Sequence, residues 1–213
     1  MSVDVEGVEV RPDLAIERYY RWHAPIYDLT RWSFLFGRSE LLRWVASTGL
    51  APERIVEVGC GTGRNLALLA RRFPFARLTG VDLSTEMLDR AVRRLRHAGA
   101  RTDWIRGRYG GPQPAARRCD LLLFSYSLTM MNPGWEAALR AAVQDLRSGG
   151  RIAVVDFAGT RWGWFRRWMA GNHVRLDDHL LPVLRELFPS GQGQIRSAYG
   201  GTWRYFLFLG SRA

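Results

Sequence analysis

Residues 54–65 constrain the fold more than any other part of the chain. They read Arg-Ile-Val-Glu-Val-Gly-Cys-Gly-Thr-Gly-Arg-Asn, so strand-favouring residues run directly into three spaced glycines. Glycines allow a tight turn and let a ligand touch the backbone, and the helix predicted from Arg64 presents free N–H groups beside them. The pattern predicts a buried strand, a ligand-binding loop and a helix, which are the parts of an α/β fold.

The loop lacks the marks of two common nucleotide-binding fingerprints. A nicotinamide-type fingerprint requires a glycine where Arg64 stands, and a phosphate-binding Walker loop requires a lysine, which this chain does not contain. The remaining pattern is acidic-x-Gly-x-Gly-x-Gly over residues 57–63, followed nineteen residues later by Asp82. A carboxylate at the end of a second predicted strand can accept hydrogen bonds from both hydroxyls of a ribose. An ordinary strand-to-helix turn is the alternative reading.

This combination resembles the class I S-adenosylmethionine-dependent methyltransferases. The resemblance implies a doubly wound, mostly parallel seven-stranded α/β sheet of Rossmann-like type, with a C-terminal antiparallel hairpin and an N-terminal helical cap. It implies S-adenosylmethionine as cofactor and S-adenosylhomocysteine as product. The cofactor-binding residues that we expect are Tyr27, Arg31, Glu57, Gly59, Cys60, Gly61, Gly63, Asn65, Asp82, Leu83, Met87 and Ser125. Met87 is equally well explained as a core methionine, and Arg106-Gly107-Arg108 departs from the family's Gly-Asp pair, so no residue is assigned to the adenine amine.

The rest of the chain alternates predicted strands and helices, as a doubly wound sheet requires. Strands are predicted at residues 54–59, 77–82, 103–106, 120–126 and 151–157, and helices at 12–27, 39–47, 64–73, 84–96 and 135–146. Ser84 is a plausible N-cap. Two further strands, 194–199 and 202–210, flank Gly200-Gly201 and predict a hairpin. We expect one methyltransferase domain over 1–213, with a cap at 1–50, a core at 51–213 and a lid insertion near 160–190.

The charge of the chain predicts an anionic partner. All 31 basic residues are arginine, and the net charge is +11. Such an excess attracts an anionic membrane face or a nucleic acid. The arginines are scattered rather than gathered in a tail, and no RNA-binding module is recognisable, so nucleic acid is the distant alternative. Two cysteines, an acidic N-terminus and no apolar run of membrane-spanning length favour a cytoplasmic protein at the inner membrane face.

Several outer segments resemble the bacterial betaine-lipid enzymes, which trimethylate the amine of diacylglyceryl-homoserine. The segments are residues 26–38, 125–128, 155–157, 164–169, 172–175 and 201–206, and with them the resemblance covers nearly the whole chain. It implies an N-methyltransferase acting on a diacylglyceryl-homoserine lipid, with Tyr27 and Arg31 closing over the cofactor. Phosphatidylethanolamine or another small amine is the alternative acceptor on the same fold.

The acceptor amine does not require a strong base. Its reference pKa near 8 leaves it partly neutral at cytoplasmic pH. The candidates for a hydrogen bond to the amine, or to the proton that it loses, are Tyr20, His23, Tyr27, Tyr126 and His173. Arg175 and Arg204 could pair with the acceptor's carboxylate, and the face of Trp203 could stabilise a quaternary amine. Solvated surface arginine is the alternative for the first two. We find no metal-ligand spacing.

Residues 162–169 combine tryptophan with arginine. As a helix, this segment places its aromatic residues and Met169 within about half of the circumference, with Arg166 and Arg167 outside that arc. Tryptophan flanked by arginine is typical of a helix lying in a lipid interface. The alternative is a lid helix packed on the protein's own core.

Overall fold

The computed structural model describes residues 35–96, 101–111, 118–171 and 174–213. The predicted helix over 12–27 lies outside these ranges, as do five predicted site residues, Tyr20, His23, Tyr27, Arg31 and His173. The described strands are β1 Arg54–Val58, β2 Arg77–Asp82, β3 Arg101–Arg106, β4 Cys119–Ser125, β5 Leu146–Gly159, β6 Gln192–Ala198 and β7 Trp203–Ser211. The described helices are α1 Arg38–Ser47, α2 Arg64–Arg72, α3 Thr85–Leu95, α4 Trp135–Asp145, α5 Gly163–Gly171 and α6 Leu180–Leu187.

The described strands form one mixed sheet in the order β3-β2-β1-β4-β5-β7-β6. Strands β1 to β5 run parallel, with β1 at the centre between β2 and β4. Strand β7 runs antiparallel to β5 and to β6, which confirms the predicted hairpin. The seven-stranded, Rossmann-like α/β fold is therefore confirmed. Such sheets bind ligands at the carboxyl ends of their strands, at the point where the strand order reverses, which here lies between β1 and β4.

Helices cover both faces of the sheet. On one face Ile55, Leu78 and Leu121 pack with residues of α1, α2 and α3, whereas on the other Val56, Leu122 and Phe124 pack under α4 and α6. Every residue of β4 is buried, which explains why its central residues 121–124 are continuously apolar rather than alternating.

The structure corrects two predicted boundaries. Strand β5 begins at Leu146, five residues before the predicted start, because Leu146 already pairs with Cys119 before the register shifts to Leu121 and Arg151. Residues 180–187, assigned only to a lid insertion, form the helix α6 with Leu180, Leu181 and Leu184 buried. Helix α3 begins as predicted, since the Ser84 hydroxyl accepts a hydrogen bond from the Met87 N–H at 3.3 Å. None of the described helices is both long and apolar enough to cross a bilayer.

Candidate cofactor and acceptor site

The glycine loop and Asp82 meet at the carboxyl-end edge of the sheet. Gly59 donates its N–H to the Val81 carbonyl at 2.8 Å, which ties the loop to the end of β2. The Gly61 N–H donates to one Asp82 carboxylate oxygen at 2.7 Å, and the Ser84 N–H donates to the other at 3.0 Å. The carboxylate therefore lies against the loop, as the sequence spacing predicts for a ribose-binding acid.

The three glycines of the loop have different surroundings, although all have positive φ. A Cβ on Gly59 would lie 2.5 Å from that of Ser127, and a Cβ on Gly63 would lie 2.9 Å from that of Ala91 in α3. Among the described residues, a Cβ on Gly61 would meet no atom within 4 Å. Gly59 and Gly63 thus allow close packing of the protein on itself, whereas Gly61 leaves open space over the backbone for a ligand.

Glu57 and Asn65 form a buried polar pair below the loop. The Asn65 amide donates to one Glu57 carboxylate oxygen at 2.7 Å. The second oxygen, Oε2, and the Asn65 carbonyl Oδ1 are buried and have no hydrogen-bond partner in the part of the chain that the structure describes. Burial raises the pKa of the Glu57 carboxyl to about 7, with the Asn65 hydrogen bond acting in the opposite direction. Two unsatisfied acceptors at this depth fit a donor group with several N–H bonds, such as an ammonium.

Three other predicted cofactor residues lie around the same edge. Leu83 is half-buried directly after β2, and Met87 is buried in the first turn of α3. The Cys60 thiol points toward Gly80 and is buried with the core, so only the backbone of Cys60 belongs to the loop surface. Burial raises the pKa of this thiol well above its ordinary value.

The end of β4 contacts the segment before α1. Ser125 accepts a hydrogen bond from Arg38 Nε at 3.0 Å, and the Tyr126 hydroxyl donates to the Phe36 carbonyl at 2.7 Å. Tyr126 is buried, has φ 57° and packs edge-on against Phe157 with ring centroids 4.7 Å apart. Burial raises the pKa of its hydroxyl well above the ordinary value. The tyrosine predicted as catalytic therefore has a clear packing role, and its contact with an acceptor stays a prediction.

Asp156, near the end of β5, has a structural role that the sequence did not predict. Its carboxylate is fully buried and accepts hydrogen bonds from the Thr129 hydroxyl, the Thr129 N–H and the Phe157 N–H. Burial raises its pKa to about 6, against the effect of these hydrogen bonds. Asp156 thereby holds the 3₁₀ turn Leu128–Met130 that follows β4. An acidic residue inside the apolar run Val-Val-Asp-Phe was the available signal.

Arg38 was also missed as a site residue. Its guanidinium carbon lies 5.8 Å from the Tyr126 ring centroid, and its charge lowers the pKa values of both Glu57 and Tyr126, against the stronger effect of burial. The arginine directly after Gly37, at the first position of α1, was the only sequence signal.

The predicted acceptor arginines are paired with aspartates. Arg175 pairs with Asp177, and Arg204 pairs with Asp178. Asp177 also contacts the ring of His179, a histidine that the sequence analysis did not consider. An acceptor carboxylate at either arginine would therefore compete with an aspartate already in place.

Trp203, the third predicted substrate residue, is buried and stacks on Phe165 with centroids 5.5 Å apart and planes 16° apart. Across the described ranges, no cluster of three or more His, Cys, Asp or Glu side chains is arranged to hold a metal.

Comparison with known proteins adds to this geometry. The family model described as a methyltransferase domain matches residues 55–150, which contain the glycine loop, Asp82 and the end of β4. Residues 55–150 form an S-adenosylmethionine-dependent methyltransferase domain.

Two curated relatives are methyltransferases of different kinds. The ubiquinone/menaquinone biosynthesis C-methyltransferase UbiE of Syntrophotalea carbinolica is 29% identical over 171 residues, which cover 79% of this chain and 70% of that protein. A trans-aconitate 2-methyltransferase of an Azoarcus species is 36% identical over 100 residues, covering 47% of this chain and 37% of that protein. The chain thus spans little more than a third of the second relative's length.

Two solved structures share the fold. The N-methyltransferase NodS of Bradyrhizobium japonicum, solved with S-adenosylhomocysteine, has a TM-score of 0.67 and 20% identity, covering 83% of this chain and 86% of that chain. The Haemonchus contortus phosphoethanolamine N-methyltransferase 2, solved with phosphomonomethylethanolamine and S-adenosylhomocysteine, has a TM-score of 0.73 and 15% identity. It covers 98% of this chain and 61% of that chain.

The methyltransferase domain and the observed site agree on S-adenosylmethionine as cofactor. Its α-ammonium matches the two unsatisfied acceptors of Glu57 and Asn65, and its ribose matches Asp82. The open space over Gly61 is the opening that the ligand needs at the loop backbone. When bound, this cofactor supplies an electrophilic methyl group on a positively charged sulfur.

Proposed function

We propose that the protein methylates the amino group of diacylglyceryl-homoserine, up to three times, to give a betaine lipid. Each transfer forms an N–C bond from the amine lone pair while the S–C bond breaks and its electron pair stays on sulfur. The first two products lose a proton to solvent before the next round, and the third is a quaternary ammonium with no proton to lose. Because the amine lone pair attacks the methyl group directly, the main contribution of the protein is to position the amine in line with that methyl group.

The observation that carries the proposal is the convergence of the outer segments. Phe36 contacts the rings of Tyr199, Trp203 and Tyr205, with centroids 5.3 to 6.2 Å apart. Trp203 in turn stacks on Phe165 of α5. Segments that are far apart in sequence, and that carry the resemblance to the betaine-lipid enzymes, thus form one aromatic wall beside the ends of β4 and β5. Phe165, Trp203 and Tyr205 are buried within this wall, whereas Tyr199 is exposed, and its ring face suits an acceptor that becomes cationic.

Two other acceptors have specific support. The relative that covers 79% of the chain is named a C-methyltransferase of quinone biosynthesis, which favours a carbon acceptor on an apolar molecule. The fold shared with a phosphoethanolamine N-methyltransferase favours a phosphorylated or phosphatidyl amine. Both lack the homoserine carboxylate, so they are separated from the proposal by the acceptor that turns over.

The test is methyl transfer from [methyl-³H]S-adenosylmethionine to lipids in detergent micelles, with products resolved by thin-layer chromatography and mass spectrometry. Purified protein is given diacylglyceryl-homoserine, phosphatidylethanolamine or demethylmenaquinol. We expect mono-, di- and trimethylated products from the first lipid, and little label in the other two. The Asp82→Asn variant is the matched control, because it should lose cofactor affinity without altering the aromatic wall.

Label in phosphatidylethanolamine alone would transfer the proposal to phospholipid amines. Label in demethylmenaquinol alone would replace N-methylation with C-methylation. In both cases the S-adenosylmethionine-dependent reaction would stand and the homoserine acceptor would be rejected.

A further inference from the structure

Helix α5 is fixed to the protein by one narrow face. Phe165 and Met169, one helical turn apart, are buried, with 4% and 7% of their surface exposed. Phe165 stacks on the buried Trp203 of β7. These contacts hold the helix on the sheet beside the end of β5, so its outer surface has a fixed orientation.

The outer surface of α5 is rich in exposed tryptophan. Trp162, Trp164 and Trp168 are 50%, 59% and 53% exposed, and we refer to these three residues as the tryptophan patch. Trp164 and Trp168 both contact the ring of Phe165, with centroids 5.6 and 5.7 Å away. The buried ring of Phe165 therefore supports Trp164 and Trp168 from the protein side, while about half of the surface of each tryptophan is exposed. The predicted single aromatic arc is split: Phe165 and Met169 pack inward, and the tryptophans face outward.

The segment that carries the tryptophan patch is positively charged. Arg161, Arg166 and Arg167 are all exposed, and residues 157–176 contain no Asp or Glu. Tryptophan prefers the boundary between hydrocarbon and water, and each nearby arginine adds attraction to anionic headgroups. The same composition is a poor match for a neutral, purely apolar partner, because the guanidinium groups would have to be desolvated.

We propose that the tryptophan patch and its three arginines form a docking surface for an anionic lipid bilayer. Helix α5 leaves the carboxyl end of β5, the same edge of the sheet that carries the glycine loop and Asp82. Docking by this face turns the cofactor edge toward the membrane rather than away from it. The inference does not depend on which acceptor is methylated.

The test is flotation of the full chain with vesicles, which needs no methyl transfer. Wild-type protein is mixed with vesicles of phosphatidylcholine alone, or with 30 mol% phosphatidylglycerol, at low and physiological salt. We expect binding to the anionic vesicles that weakens as salt rises. A Trp162→Ala/Trp164→Ala/Trp168→Ala variant should lose roughly tenfold or more of this binding, since each tryptophan contributes interfacial partitioning.

Matched variants separate the patch from the overall charge. The Arg166→Gln/Arg167→Gln variant should weaken vesicle binding by roughly tenfold. The Arg71→Gln/Arg72→Gln variant removes the same charge from the exposed end of α2 and should change binding by less than about twofold. Phe75→Ala is the aromatic control, because Phe75 is 95% exposed just before β2, at the opposite edge of the sheet. Unchanged S-adenosylhomocysteine affinity shows that each variant is folded.

Three outcomes would overturn the proposal. Vesicle binding that survives the triple tryptophan substitution would remove the patch from the interface. An equal effect of the two arginine pairs would show that attraction depends only on net charge. A concentration-dependent dimer in light scattering that the tryptophan substitutions disperse, without vesicle binding by the monomer, would assign the patch to a second copy of the chain.

Discussion

Among single residues, the three glycines of the loop share a positive φ but have different roles. Gly59, Gly61 and Gly63 all lie at positive φ, where an L side chain is strained. Of these three, Gly61 is the one whose side chain would meet no described residue within 4 Å, whereas Gly63 brings the start of α2 against Ala91 and Leu95 of α3. The close helix packing that a nicotinamide fingerprint assigns to a later glycine is therefore supplied here by Gly63.

This difference predicts that two alanine substitutions affect stability and ligand binding to different extents. Gly61→Ala should cost about 1 kcal/mol of stability from backbone strain, yet weaken S-adenosylhomocysteine binding by roughly tenfold or more because its methyl enters the ligand space. Gly63→Ala should cost about 2–4 kcal/mol, because its Cβ overlaps Ala91 in addition to the strain. Urea unfolding and calorimetric titration measure the two effects. Equal stability losses with unchanged binding would contradict the assignment of Gly61.

The buried carboxyl of Glu57 predicts that cofactor binding depends on pH. Its pKa is raised to about 7, so near pH 6 the carboxyl is mostly protonated and cannot pair with an ammonium. Bound ammonium favours the ionised form, and affinity for S-adenosylhomocysteine should therefore rise roughly fivefold to tenfold between pH 6 and pH 8. The Glu57→Gln variant should bind more weakly at pH 8 and lose most of this pH dependence. Calorimetry with both proteins across this range measures it, and an equal slope in the variant would exclude Glu57 as its source.

At the scale of elements, the end of β4 is a junction between the central sheet and the chain before α1. Tyr126 bonds to the Phe36 carbonyl, Arg38 bonds to Ser125, and a Cβ on Gly37 would lie 2.6 Å from the Tyr205 ring of β7. Residues 35–38 are thereby fixed against two strands at once. Asp156 adds a third connection by holding the turn after β4.

The junction predicts a structural effect for the removal of one hydroxyl. Tyr126→Phe leaves the Phe36 carbonyl without its donor and should cost about 1–2 kcal/mol in urea unfolding. If packing is the role of this tyrosine, kcat for the lipid acceptor should change by less than about threefold. Tyr199→Phe is the control, since this tyrosine is largely exposed and its change should stay within about 0.5 kcal/mol. A large fall in kcat with little loss of stability would instead support the catalytic role predicted from the sequence.

At the scale of the whole molecule, two fully buried carboxyls make folding depend on pH. Burial raises the pKa of Glu57 from 4.5 to about 7 and that of Asp156 from 3.8 to about 6. A carboxyl with a raised folded-state pKa holds its proton longer when folded than when unfolded. Its contribution is therefore fully present below the unfolded value and is lost as pH rises through the folded value.

The expected result is lower stability without ligand at pH 7.5 than at pH 5, by at least about 1 kcal/mol. The Glu57→Gln/Asp156→Asn double variant should show a smaller difference between the two pH values, because neither position then titrates. Chemical unfolding at both pH values, without cofactor, measures the change. A double variant with the same decline as wild type would show that other groups control it.

Much of the fold follows from local patterns. The glycine loop, the capped start of α3 and the Gly-Gly hairpin specify their own conformations, and the apolar runs of β1, β4 and β5 require cover on both faces. Strand boundaries that depend on pairing with another strand were less predictable. Strand β5 starts early because Leu146 pairs with Cys119 of β4. Helix α6 was not predicted because its apolar pattern covers only eight residues, within a region assigned to a lid.

The order of the strands along the chain, the cofactor loop and the spacing of Asp82 could be predicted from the sequence, because these depend on neighbours within about thirty residues. Which side chains of the outer segments turn inward could not, because that depends on contacts between segments far apart in the chain. Trp203, predicted to contact substrate, is buried against Phe165, whereas Trp162, directly before α5, and Trp164 and Trp168 of α5 face outward. Arg175 and Arg204, predicted to bind the acceptor, already pair with Asp177 and Asp178. A sequence pattern specifies the composition of a helix or strand, but the face that is buried depends on the contacts made by the rest of the fold.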